Sequence, residues 1–170
     1  MTTLQALAET VGQALKRLNF KLVTAESCTG GGLSYWITSV PGSSDWFERG
    51  YVTYSNEAKI ECLGVQTKTI STYGAVDQIT AQKMAEGALA HSLADVSIAI
   101  TGIAGPTGGT SSKPVGMVWA AYAIKNTPTL TQKYLLKGDR QHIREAVIER
   151  VLIDLLEILH CYPDTNTHFE

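Results

Sequence analysis

The seven residues "DVSIAIT", Asp95 to Thr101, make the clearest buried strand in the chain. A strand that is apolar along its length has to be covered on both faces, which points to helices layered on either side of a sheet. Helical patterns do alternate with such strands. Leu4, Leu7, Val11, Leu15 and Leu18 recur three or four apart and predict an amphipathic helix over residues 3–18. "KLVTA" follows as a short buried strand; Leu33, Trp36, Ile37 and Val40 then restore the helical period until Pro41 and Gly42 break it. "GYVTYS", residues 50–55, reads as a strand, and Ser55 is placed to cap a helix with Glu57 in its first turn, running past Lys59 to about Leu63. A further helix is expected from Ile79 to Leu93. Residues 115–124 and 129–136 suit an antiparallel pair turning at "KNTP". Asp139 then caps a long helix with Ile143, Val147, Val151, Leu155 and Ile158 on one face. The expected architecture is a single-domain, layered α/β/α sandwich with a mixed β-sheet over residues 1–160, and 161–170 are expected to form a frayed tail.

With 170 residues, 44% of them hydrophobic and a formal net charge of −2, the chain can bury a real core yet shows no basic cluster. Nucleic acid and anionic membranes are therefore not expected partners. No apolar run approaches the roughly 20 residues of a membrane span. The start "MTTLQALAET" has no export-type segment, so a cytoplasmic location is the expectation. Cys28, Cys62 and Cys161 are odd in number and form no CxxC pair, while His91, His142, His160 and His168 are scattered, so neither a disulfide framework nor a metal site is indicated. A homo-oligomer is expected on the frequency of symmetric self-association alone.

Chemistry concentrates in "TAESCTGGG", Thr24 to Gly32, at a strand-to-helix turn. Backbone N–H groups at such a turn can hold a developing oxyanion, and Gly30, Gly31 and Gly32 allow close approach to them. Ser27, Cys28 and Thr29 all compete as nucleophile, and spacing alone does not choose. No histidine lies in a promising segment, which weakens a Ser-His-Asp scheme. Lys59 is the better base: the positive end of its helix dipole and partial burial both favour the neutral amine. Tyr54 could relay a proton at the same place. "TGIAGPTGG" supplies a second loop of amides after a buried strand, without the order of a P-loop or GxGxxG, and Arg140 could meet a phosphate.

Taken in order, "TAESCTGG", "RGYVTYSNEAK", "GAV", "AITGIAGPTGG", "KPVG" and "GDR" resemble the CinA C-terminal domain family from about Leu4 to Leu159. Its characterised members are nicotinamide mononucleotide amidohydrolases. The amino-terminal domain of longer CinA proteins has no counterpart, so a stand-alone form is expected. The resemblance implies hydrolysis of the nucleotide's carboxamide to nicotinate mononucleotide and ammonia in pyridine nucleotide salvage, without a cofactor. It favours Ser27 as nucleophile, Lys59 as base and Tyr54 as helper, with Ser44, Thr101 and Arg140 at substrate-binding positions; the backbone of Cys28, Thr29 and Gly30 and that of Gly102 are expected to contact substrate as well. Asp77 stands where close relatives are expected to carry serine, and can still cap the following helix. Two other readings stay open: a catalytically silent paralogue that binds a pyridine nucleotide, and a hydrolase whose nucleophile is Cys28.

Overall fold

The computed structural model describes residues 3–164. The described residues form α1 (Thr3–Leu18), β1 (Leu22–Glu26), α2 (Gly32–Thr38), a single 3-10 turn (Ser43–Asp45), β2 (Phe47–Val52), α3 (Asn56–Leu63) and α4 (Thr67–Tyr73). They continue through α5 (Gln78–Ala90), β3 (Val96–Gly102), β4 (Met117–Ile124), β5 (Leu130–Leu135) and α6 (Arg140–His160). The five strands make one mixed sheet in the order β2-β1-β3-β4-β5. β1 lies parallel to both β2 and β3, whereas β3–β4 and β4–β5 are antiparallel.

Alternation along the strands sorts the core into two layers. Leu22, Val96, Ile98, Ile100, Val118 and Tyr122 point to the face covered by α1, α2 and α6, where Val11, Leu15, Val147, Val151 and Leu155 meet them. Val23, Ala25, Ala99, Ala121 and Ala123 point the other way, toward Leu63 of α3, Ile70 of α4 and Ala81, Met84, Ala85 and Ala88 of α5. Small side chains on that second face let α5 lie close to the sheet. Gly87 serves the same purpose between helices, since a Cβ there would stand 1.9 Å from the Leu63 carbonyl oxygen.

Each expected side-chain cap is present: Ser55 accepts from Ala58 N–H, Asp77 from Ile79 N–H and Asp139 from His142 N–H. Two expectations need correction. "GYVTYS" is not the strand it seemed; β2 begins three residues earlier, at Phe47, because its register is set by pairing with β1 rather than by its own apolar pattern. Between α3 and α5 lies an unexpected helix, α4, whose one buried side chain, Ile70, gives too little apolar periodicity to read. At the far end, Tyr162 packs edge-on against Phe20, and Asp164 pairs with Arg17. The rest of the expected tail, residues 165–170, and with it His168, lies outside the described residues.

The parallel run places the C-terminal ends of β1, β2 and β3 side by side. β5 runs in the same direction as β3, so the start of α6 arrives at this same end. Four segments distant in sequence thereby converge: 27–30, 53–59, 101–108 and 139–144.

Candidate active site

Glu26 and Ser27 are neighbours in sequence but serve opposite faces of the sheet. Ser27 extends β1 by one step, its N–H donating to Ile100 C=O at 2.9 Å. The period of two then sends Glu26 toward α2 and Ser27 toward α3. Glu26 is fully buried. Its carboxylate accepts from Leu33 N–H at 2.8 Å, Ser34 N–H at 3.0 Å and the Ser34 hydroxyl at 2.7 Å. It therefore occupies the positive end of α2, and a substrate anion or oxyanion cannot use those amides. The sequence carried a signal for this, an acidic residue seven positions before the helix's second residue, but nothing local marks a strand residue as a cap.

The amides of the turn itself are differently engaged. Gly30 N–H donates to Ser27 C=O at 3.0 Å, closing a turn with Cys28 and Thr29 at its centre. Gly30 itself takes a left-handed φ of 58° as the chain leaves the turn. Its amide is thus used within the turn, which removes it from the expected donors. The Cys28 and Thr29 N–H groups, by contrast, donate to no backbone carbonyl among the described residues.

On the other side of Ser27 stands Lys59, in the second turn of α3 and 0% exposed. Its Nζ lies 3.0 Å from Ser27 Oγ, 2.7 Å from Thr53 C=O and 3.3 Å from Tyr54 C=O. Burial disfavours the ammonium and lowers the Lys59 pKa from its ordinary value, with the nearby Cys28 opposing this. A neutral amine has two N–H donors and one lone pair. The Thr53 and Tyr54 carbonyls, and that of Ser55 at 3.5 Å, surround Nζ, which donates to Ser27 Oγ; in its neutral form the amine carries a lone pair able to take the Ser27 hydroxyl proton. Burial was expected to be partial; it is complete.

Cys28 is 6% exposed, and desolvation pushes its thiol up to about 12. A thiol so held is almost entirely protonated near neutrality and is a poor nucleophile. Thr29 is also excluded from attack: its hydroxyl is fully buried, without a hydrogen-bond partner, and the residue lines a different cleft beside Arg144 and Trp36.

Ser27 and Lys59 form the floor of a cleft of about 270 Å³, walled by Cys28, Tyr54, Thr101, Gly102 and Arg140 and by the glycine-rich loop to Gly108. Thr101 Oγ1 donates to Ala75 C=O at 2.7 Å, tying the end of β3 to the "GAV" segment. At the mouth, Arg140 donates to Gly105 C=O at 2.8 Å and to the Tyr54 hydroxyl at 3.1 Å. Tyr54 is 61% exposed, and its hydroxyl makes no hydrogen bond to Ser27 or Lys59. Ser44 is not brought to the cleft. It is exposed in the 3-10 turn before β2, at the opposite end of a six-residue strand, a separation of about 20 Å at the usual rise per residue. A larger cavity, about 730 Å³ between α5 and the β4–β5 turn, holds none of these groups. No cluster of His, Cys, Asp and Glu suited to a metal ion occurs among the described residues. None of their helices is long and apolar enough to cross a membrane.

Residues 4–159 match the pattern of the CinA C-terminal domain. The nicotinamide-nucleotide amidohydrolase PncC of Escherichia coli strain K12 is 49% identical over 141 residues, covering 83% of this chain and 86% of that protein. The protein of the same name from Pseudomonas putida is 43% identical over 158 residues, with 93% and 98% coverage. Among solved structures, the competence/damage inducible protein CihA from Agrobacterium tumefaciens superposes with a TM-score of 0.90 at 40% identity, covering 94% of this chain and 97% of that one. By sequence pattern and by fold, this chain belongs to the CinA C-terminal domain family.

Proposed function

We propose that this protein is a nicotinamide-nucleotide amidohydrolase, converting nicotinamide mononucleotide to nicotinate mononucleotide and ammonia through a serine–lysine acyl-enzyme. The names of its close relatives supply the substrate class. The observation that carries the mechanism is the fully buried Lys59 amine 3.0 Å from Ser27 Oγ. As the hydroxyl attacks the carboxamide carbon, its proton passes to Nζ, and the Cys28 and Thr29 N–H groups hold the oxyanion. The new ammonium then protonates the departing nitrogen, ammonia leaves, and water cleaves the Ser27 ester with Lys59 again as base. Arg140 and the loop amides engage the nucleotide's phosphate, so that binding remote from the carboxamide positions the reacting carbon. Tyr54, hydrogen-bonded to Arg140 at the mouth, orders that anchor and closes over the substrate. The chemistry calls for no metal and no organic cofactor.

The test is ammonia release from nicotinamide mononucleotide by metal-free wild-type protein, Ser27→Ala and Cys28→Ala. Turnover should vanish in Ser27→Ala and persist in Cys28→Ala, whose backbone N–H is intact. Loss in Cys28→Ala with retention in Ser27→Ala would overturn the serine mechanism. No turnover in wild type, with the nucleotide still raising the melting temperature, would make the protein a binding paralogue instead.

A further inference from the structure

The turn carrying the Cys28 and Thr29 N–H groups is held by a side chain from α6. Arg144, one turn into α6, donates from Nη2 to the Thr29 C=O at 3.2 Å. Its guanidinium lies against Gly30, where a Cβ would come within 3.6 Å of Nη2. The Thr29–Gly30 peptide is thus fixed at both ends, since its N–H closes the turn onto Ser27 C=O and its C=O accepts from Gly32 N–H at 2.9 Å as well as from Arg144. That peptide is the only one in the turn with both polar groups engaged. Were it to rotate, the Gly30 N–H would leave the Ser27 carbonyl and the turn that carries the Cys28 and Thr29 amides would open.

Resting on the amidohydrolase reading above, we propose that Arg144 is a positioning residue for the oxyanion hole. It adds a charged donor to the Thr29 carbonyl beside the Gly32 N–H, and so places a positive charge against the turn that carries the donors. It does not touch the substrate: the residue lines the separate cleft on the α2 side of the turn, together with Gly32, Trp36 and Gln141. Its charge nevertheless reaches across, favouring negative charge at Cys28. Preorganised donors and a fixed charge matter most where negative charge develops, so the contribution belongs to the transition state rather than to substrate binding.

Two variants and two assays test this. Arg144→Lys keeps the charge and loses the fork, whereas Arg144→Gln loses the charge. With nicotinamide mononucleotide, kcat should fall about tenfold for Lys and about a hundredfold for Gln, approaching the loss of one oxyanion donor. KM should stay within about threefold. The second assay uses p-nitrophenyl acetate: Ser27 Oγ bonds the acetyl carbon, p-nitrophenolate departs, and the hydroxyl proton passes to Lys59. The acylation rate should fall in the same order, wild type, Lys, Gln. A rise in KM at unchanged kcat, or equal acylation of all three proteins, overturns the proposal. If wild type is acylated at Ser27 yet leaves the nucleotide intact, the substrate assignment fails while the acylation series still decides the role of Arg144. Absence of Ser27 acylation in wild type overturns both.

Discussion

Replacing Glu26 by glutamine changes one oxygen to an amide in a fully enclosed site, and the outcome can be worked from three hydrogen bonds. The carboxylate accepts from Leu33 N–H, Ser34 N–H and the Ser34 hydroxyl, with no solvent access. Glutamine can keep its oxygen on Ser34 only by turning NH₂ toward the Leu33 N–H, which leaves a buried donor unpaired at about 1–3 kcal/mol. The two surviving bonds lose charge assistance, about 1 kcal/mol each. Relief from burying a carboxylate offsets part of this, giving a net loss of about 2–3 kcal/mol. For a chain of this size that is a fall in Tm of about 5–10 °C. Thermal unfolding followed by circular dichroism at neutral pH reads it directly. A Glu26→Gln protein melting within about 1 °C of wild type would refute the assignment of Glu26 as the cap of α2.

The lowered Lys59 pKa fixes the sign of two pH effects. Turnover needs the neutral amine, so kcat/KM should rise with pH through the Lys59 pKa and level off before the ordinary lysine value of 10.5; a rate that falls over that range contradicts the base assignment. The unfolded lysine binds its proton more tightly than the folded one, so stability declines as pH falls from 10.5 toward the folded value, and Lys59→Met should remove that slope from a plot of Tm against pH. The Cys28 thiol, pushed up to about 12, should resist iodoacetamide near neutrality while exposed Cys62 and Cys161 react. Mass spectrometry should find two labels on an enzyme that retains its activity; alkylation at Cys28 would show that burial does not protect it.

Much of this arrangement could be read from the chain before folding. Strong apolar periods marked α1, β3 and α6, and single polar residues at Ser55, Asp77 and Asp139 marked helix starts, because each of these signals is local. Ser27 and Lys59 were paired as candidates although 32 residues separate them, and the parallel alignment of β1 and β2 is what brings them together. Non-local constraints escaped. β2 is an edge strand, and its register with β1 outweighs the alternation of "GYVTYS". The engagement of Gly30 and of the α2 amides, and the isolation of Ser44 and the Thr29 hydroxyl, depend on which face of the sheet each residue meets. A one-residue step between Glu26 and Ser27 decides that, and residue type does not reveal it.

Lys59 also has an architectural duty. Of the eight residues of α3, only Lys59 and Leu63 are fully buried, so the base is one of two side chains seating its own helix. Ser27, 8% exposed at the cleft floor, has no comparable duty. Exchange of Ser27 removes one partner of the Lys59 amine, whereas exchange of the lysine also unsettles α3 and the loop before it. On the proposed mechanism, the serine is the residue whose loss would separate hydrolysis from the fold.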